Sequence, residues 1–215
     1  LHEGINEILV RVSNDQYASG GIRRAPRLAN RDSFDRRTHL RNALDMAVVG
    51  MLLFASVYNI LLFFFRRQEK APLYFGLFCL VFSINIFNLQ IPLLSGPLSV
   101  SRNPYLLDFI TVMASLPLCV LTIRSLFPDE FGAFATRLFL VATVILIIPL
   151  SFFDFRTAEL LLRVFFAVFV MLVLYCVHVF IKSMLNRRDD ALPFFIGFVP
   201  LFAGGLNDIL YATWV

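Results

Sequence analysis

Six apolar runs, each close to the length of a membrane crossing, constrain this chain more than any other feature. They fall at about 47–65, 73–92, 105–123, 138–153, 160–181 and 192–211. A spanning helix needs about 20 mostly apolar residues. The polar breaks between the runs are short, and the first is only Arg66-Arg67-Gln68-Glu69-Lys70, with Pro72 just behind it. A soluble fold rarely places two such runs so close together, whereas a chain that crosses a bilayer and turns straight back does. The fourth run is short, and Arg137 can lengthen it by reaching to the interface. The expectation is a mainly α, polytopic membrane helix bundle.

Composition agrees. The chain has 215 residues, of which 59% are hydrophobic and 16% charged, with mean hydropathy +0.77. Soluble domains carry roughly 25% charged residues, so this chain lacks the polar surface to face water all round. Its pI of about 9.2 comes from basic residues in short loops and one tail. They form no basic face interleaved with aromatics, and nucleic-acid binding is set aside. Cys79, Cys119 and Cys176 all lie inside apolar runs without short spacing, which supports neither a zinc site nor a disulfide framework. They read as buried or lipid-facing thiols.

The first 41 residues differ. In "GINEILVRVSND", Ile8, Val10 and Val12 alternate with Glu7, Leu9 and Arg11 before Ser13-Asn14-Asp15, the pattern of a strand entering a turn. Gly20-Gly21 and Pro26 mark a further loop or turn. One strand cannot bury a core. Residues 1–41 are therefore read as the last strand or strands of an extracytoplasmic β-sandwich plus a juxtamembrane linker, and 42–215 as the membrane domain. With Leu1 at its start and an apolar run at its end, the sequence reads as part of a longer protein.

Orientation follows arginine and lysine in the short loops. With the N-terminal segment outside, the inner loops hold Arg66, Arg67, Lys70, Arg124, Arg137, Lys182, Arg187 and Arg188, and the outer loops only Arg102 and Arg156. Arg31, Arg36, Arg37 and Arg41 in the tail oppose this count, but a folded domain translocates largely regardless of its charge. The N-terminal segment is therefore placed outside. The tail arginines can grip anionic headgroups or pair with acids of the outer domain.

Strands feeding directly into apolar helices, "NEILVRVSN" with "SGGI", "YNILLFFFRR" closing the first span, "LYFGLFCL" opening the second and "LNDILY" in the sixth together carry a resemblance. The chain resembles the bacterial seven-transmembrane receptors with diverse intracellular signalling modules. That resemblance implies a periplasmic jelly-roll domain before the helices, a seventh helix after Val215 and a cytoplasmic output domain beyond it. The output could be a diguanylate cyclase, histidine kinase, adenylate cyclase or phosphatase. It also implies a bacterial inner-membrane location, two-component or cyclic-nucleotide signalling, and an outer ligand for which carbohydrate is one class.

Ionisable groups within spans are costly and so are candidates for function. Asp108 begins the third span, Glu159 and Arg163 begin the fifth, Asp208 ends the sixth, and the outer half of the second carries Asn85, Asn88 and Gln90. All lie at one level. They read either as a polar cup that binds a ligand or couples outer domain to bundle, or as interfacial groups satisfied locally, with Glu159 and Arg163 four apart on one helix. His178, the only histidine within a span, reads as a hydrogen-bonding or interfacial group rather than a pH sensor. Tyr58-Asn59 reads as a helix-packing pair. Pro200 with Gly204-Gly205 is the preferred hinge.

The leading reading is a sensor that relays an extracytoplasmic signal to a cytoplasmic output domain, and the alternative is a transporter or channel. No histidine pair, nucleophile with a base, or nucleotide-binding glycine loop is present, so residues 1–215 are not expected to be catalytic and need no cofactor or metal. The expected partners are membrane lipids, an unidentified outer ligand and an output domain in the same chain. Oligomeric state, a homodimer included, is open.

Overall fold

A computed structural model describes residues 31–90, 104–150, 155–188 and 191–214. These form six helices: α1 (Arg31–Phe65), α2 (Ala71–Gln90), α3 (Pro104–Leu126), α4 (Ala133–Leu150), α5 (Phe155–Leu185) and α6 (Ala191–Trp214). The described residues contain no strand. The strand expected around residues 5–15 lies outside them. A helix is what these sequences must form in lipid, because it satisfies every backbone group within its own segment.

The helix ends follow local chemistry. Arg66 N–H still donates to Leu62 O (2.9 Å), Glu69 N–H closes a turn on Arg66 O (3.0 Å), and Tyr74 N–H bonds Lys70 O (3.2 Å) as α2 begins. Pro72 sits in the first turn of α2, where a missing N–H costs nothing. Pro104 opens α3 for the same reason. Four helices are long and apolar enough to cross a membrane, through Asn42–Phe65, Ala71–Asn88, Phe109–Leu126 and Leu160–Leu185. Two more have shorter apolar stretches, Ala133–Pro149 and Ala191–Asn207.

One boundary differs from the sequence reading. Helix α1 starts at Arg31, well before the apolar run at 47, so residues 31–41 continue the first span as helix. Its 35 residues amount to about 52 Å of rise, longer than the roughly 30 Å hydrocarbon layer. Its first turns therefore project beyond the lipid.

Consecutive helices pack against each other, and α3 also contacts α5. Helix α3 is the axis of the core: Met113, Val120 and Ile123 are fully buried, against Phe78 and Cys79 of α2, Leu172, Cys176 and Phe180 of α5, and Phe198 of α6. Helix α1 touches the bundle through α2, where Gly76 makes close approach possible. A Cβ there would lie 2.9 Å from Ile60 Cγ1, 3.1 Å from Ser56 O and 3.3 Å from Asn59 Cβ. Its other face exposes Met51, Phe54 and Phe65, as lipid contact permits. All three cysteines are buried and unpaired.

Candidate functional site

The alternating course of the helices creates two chemically distinct ends. One carries the turns at 66–70, 127–132 and 186–188, where the loop arginines and lysines collect. The other carries the ends of α2, α4 and α6 and the starts of α3 and α5.

The residues from which the sequence reading builds a polar level fall on the helix parts toward this second end. Asn85 and Asn88 are in the last turns of α2, Gln90 closes that helix, Asp108 is near the start of α3, Glu159 and Arg163 are near the start of α5, and Asp208 is near the end of α6. The four helices are contiguous, since α3 touches α2 and α5, and α5 touches α6. Asn85 is buried and its Nδ2 donates to Thr111 Oγ1 of α3 at 2.9 Å, a polar link across the bundle. Thr111 was missed because a threonine in an apolar run gives no sign of which helix it faces. Asn88 is half-buried one turn further on, and Arg163 is exposed. The side chains of Gln90, Asp108, Glu159 and Asp208 are outside the described residues.

The hinge residues show three different environments. Helix α6 continues through Pro200, which is exposed. A Cβ on Gly204 would meet nothing within 4 Å, whereas one on Gly205 would lie 2.7 Å from Phe169 Cζ. Gly205 is thus the seat of a ring from α5. Asn59 bonds Ala55 O of its own helix (2.8 Å) and lies against Gly76, while Tyr58 and His178 are exposed.

At the basic end, sequence reasoning missed a second cluster. Residues 127–132 do not simply cap α3 and α4; they lie along the last turns of α5. Gly132 N–H donates to Tyr175 Oη at 3.1 Å, and the Phe131 ring meets Tyr175 edge-on at 5.0 Å. Phe127 packs edge-on against Phe180 at 5.5 Å. Phe127 and Phe131 are almost wholly buried. Beyond these rings, Arg188 reaches back from the α5–α6 turn. Its Nε lies 3.3 Å from Glu130 Oε1, and its Nη2 pairs with Asp129 Oδ2. Asn186 Nδ2 donates to the same Glu130 oxygen at 3.4 Å. The Glu130 side chain is only 3% exposed, against 76% for Asp129. A buried carboxylate of this kind needs its cation. The available clue was "FPDEFGAF", an acidic pair bracketed by phenylalanines in a loop that otherwise should be basic.

The turn that aims Arg188 has an unusual backbone. Arg187 has φ 54°, the left-handed region that glycine usually occupies at a helix end. Arg187 N–H donates to Met184 O (3.0 Å) and Arg188 N–H to Ser183 O (3.2 Å), closing the paired bonds of a Schellman cap. No group of three histidine, cysteine or acidic side chains is placed to hold a metal among the described residues.

The family model described as 7TM diverse intracellular signalling matches residues 41–215. No curated protein and no solved structure matches the chain.

Proposed function

Because this chain belongs to the 7TM diverse intracellular signalling family, we propose that it relays an extracytoplasmic signal through its helices to a cytoplasmic output domain. It is a multi-pass membrane protein of the receptor class, and the matched region is a sensor module rather than a catalytic one. The family match carries the reading. The course of α1 supports it: one unbroken helix runs from Arg31 to Phe65, so its polar first turns and its apolar span are a single element. A β-domain ahead of α1 would act on a rigid rod whose far part is seated on Gly76 of α2.

In this reading the protein sits in the bacterial inner membrane, the N-terminal segment is extracytoplasmic, and the basic end faces the cytoplasm, in line with the inner bias of arginine and lysine. The polar level of Asn85, Asn88, Gln90, Asp108, Glu159, Arg163 and Asp208 then lies beneath the outer domain, where it binds a ligand or couples that domain to the helices. Pro200, Gly204 and Gly205 give α6 a place to bend. The relay needs an element with two arrangements that the outer signal biases.

Sidedness tests the reading directly. One cysteine at Ser19 and another at Gln68 are challenged with an impermeant thiol reagent in spheroplasts; the native cysteines are buried and stay silent. Labelling at Ser19 with protection at Gln68 is expected. The reverse pattern would put the N-terminal segment in the cytoplasm and overturn the relay as stated.

A further inference from the structure

The contact between the α3–α4 and α5–α6 turns is more than a surface ion pair. It brings together residues far apart in the chain, Asp129 and Glu130 with Asn186 and Arg188, over a floor of buried rings. Its strength is unevenly distributed. Glu130 is buried, its Oε1 receives both Arg188 and Asn186, and its Oε2 has no hydrogen-bond partner among the described residues. The closed contact therefore leaves a carboxylate desolvated and compensated chiefly by one guanidinium, which is itself 35% exposed. Opening would return both groups to water. Loss of the guanidinium strands Glu130 buried and uncompensated, which disfavours the closed arrangement, and neutralising Glu130 removes the buried half of what holds Arg188, leaving it only the exposed Asp129.

The backbone beside it stores strain of the opposite sense. A non-glycine residue at φ 54° persists only where its surroundings hold it. Here the holding groups are the two cap bonds and the grip of Arg188, the very next residue, on Glu130 and Asp129. Release of Arg188 removes part of what keeps Arg187 left-handed, so the turn has somewhere to go. The consequence falls on α6. Arg188 O accepts the Ala191 N–H at 3.1 Å as α6 begins, and α6 packs on the rest of the bundle mainly through α5. Its starting end is thus tied to the α3–α4 turn by this contact together with the edge-on Phe127–Phe194 ring pair at 6.2 Å, an apolar contact that can slide when the charged one is released.

We propose that the Glu130–Arg188 pair, with Asp129 and Asn186, is a latch between the α3–α4 and α5–α6 turns, closed in this structure, whose release frees the basic end of α6 to move relative to α4. This rests on the relay reading above, in which that end faces the output domain. The latch would be the two-state element through which the bundle reports.

The test is a distance. Spin labels at Phe134 and Leu192, both exposed in the first turns of α4 and α6, are measured by pulsed electron resonance in the full-length protein in lipid nanodiscs, beside its output activity. Arg188→Glu places a third acid against Asp129 and Glu130; Arg188→Lys keeps the charge, and Glu130→Gln removes it from the other side with little change in shape. Arg188→Glu and Glu130→Gln are expected to add a population displaced by on the order of one helical turn, about 5 Å, while Arg188→Lys stays close to the parent. Output activity should shift at least two-fold in the first two variants. An unchanged distance distribution in a folded Arg188→Glu or Glu130→Gln protein would overturn the latch. A displaced population with unaltered output would uphold the latch and overturn the relay.

Discussion

Replacing Gly76 by alanine isolates the closeness of α1 to α2. The new Cβ would stand 2.9 Å from Ile60 Cγ1 and 3.1 Å from the Ser56 carbonyl. The isoleucine can yield, but the carbonyl belongs to the α1 backbone, so the helices must separate slightly. Overpacking of this sort costs about 1–3 kcal/mol. It is partly hidden by the gain of about 1 kcal/mol when alanine replaces glycine inside a helix. Gly50→Ala cancels that term, since Gly50 lies in α1 with nothing within 4 Å of its would-be Cβ. The difference between the two variants is then the steric cost alone. At roughly 2–4 °C per kcal/mol for a chain of this size, Gly76→Ala should melt about 2–12 °C below Gly50→Ala. A thiol-reactive fluorophore suits the assay, because Cys79, Cys119 and Cys176 are buried and react only on unfolding, and Cys79 is one turn from Gly76. Equal melting temperatures would refute the argument that close contact with α1 requires glycine at this position. Ile60→Ala should recover only part of the loss, because it leaves the carbonyl contact in place.

Two further outcomes concern the polar level. Asn85→Ala and Thr111→Val should each destabilise modestly, and a double-mutant cycle should return a coupling of about 0.6 kcal/mol and at most about 1.7, the range of hydrogen bonds between membrane helices; zero coupling would mean the 2.9 Å contact carries no stability. Arg163→Ala should change signalling more than expression, as judged by output activity at matched protein level. Unchanged output at normal expression would remove Arg163 from the coupling role.

The parts legible in the sequence are those that depend on the nearest twenty residues. Whether a segment enters a bilayer is a sum over its own side chains, so the six helices could be placed before any contact was known, and the 66–70 break had to be a tight turn. The helix boundary at Arg31 escaped this logic. Residues 31–41 are polar, and a hydropathy sum cannot see a helix that continues past the lipid by propensity alone. Asn85 was legible as a costly polar residue, but its partner Thr111 was not. Glu130 was hidden for another reason: one acid in a loop looks like any other until its burial is known, and Arg188 was legible only as a topological charge.

By itself, then, the sequence determined that this is a membrane protein of six apolar helices with a charge-biased end, because partition between water and lipid is local and additive. Tertiary structure decided which face of each helix meets another. In α2 the apolar residues surround the helix and no stripe marks its buried side. Lipid and protein interior are nearly equal solvents for such a helix. Its rotation is therefore set by shape and by a few polar contacts: glycine against a neighbouring backbone at Gly76 and an amide finding a hydroxyl at Asn85. The same holds at the basic end, where a buried carboxylate finds a guanidinium on a turn far away in the chain and so fixes the α3–α4 turn against the α5–α6 turn.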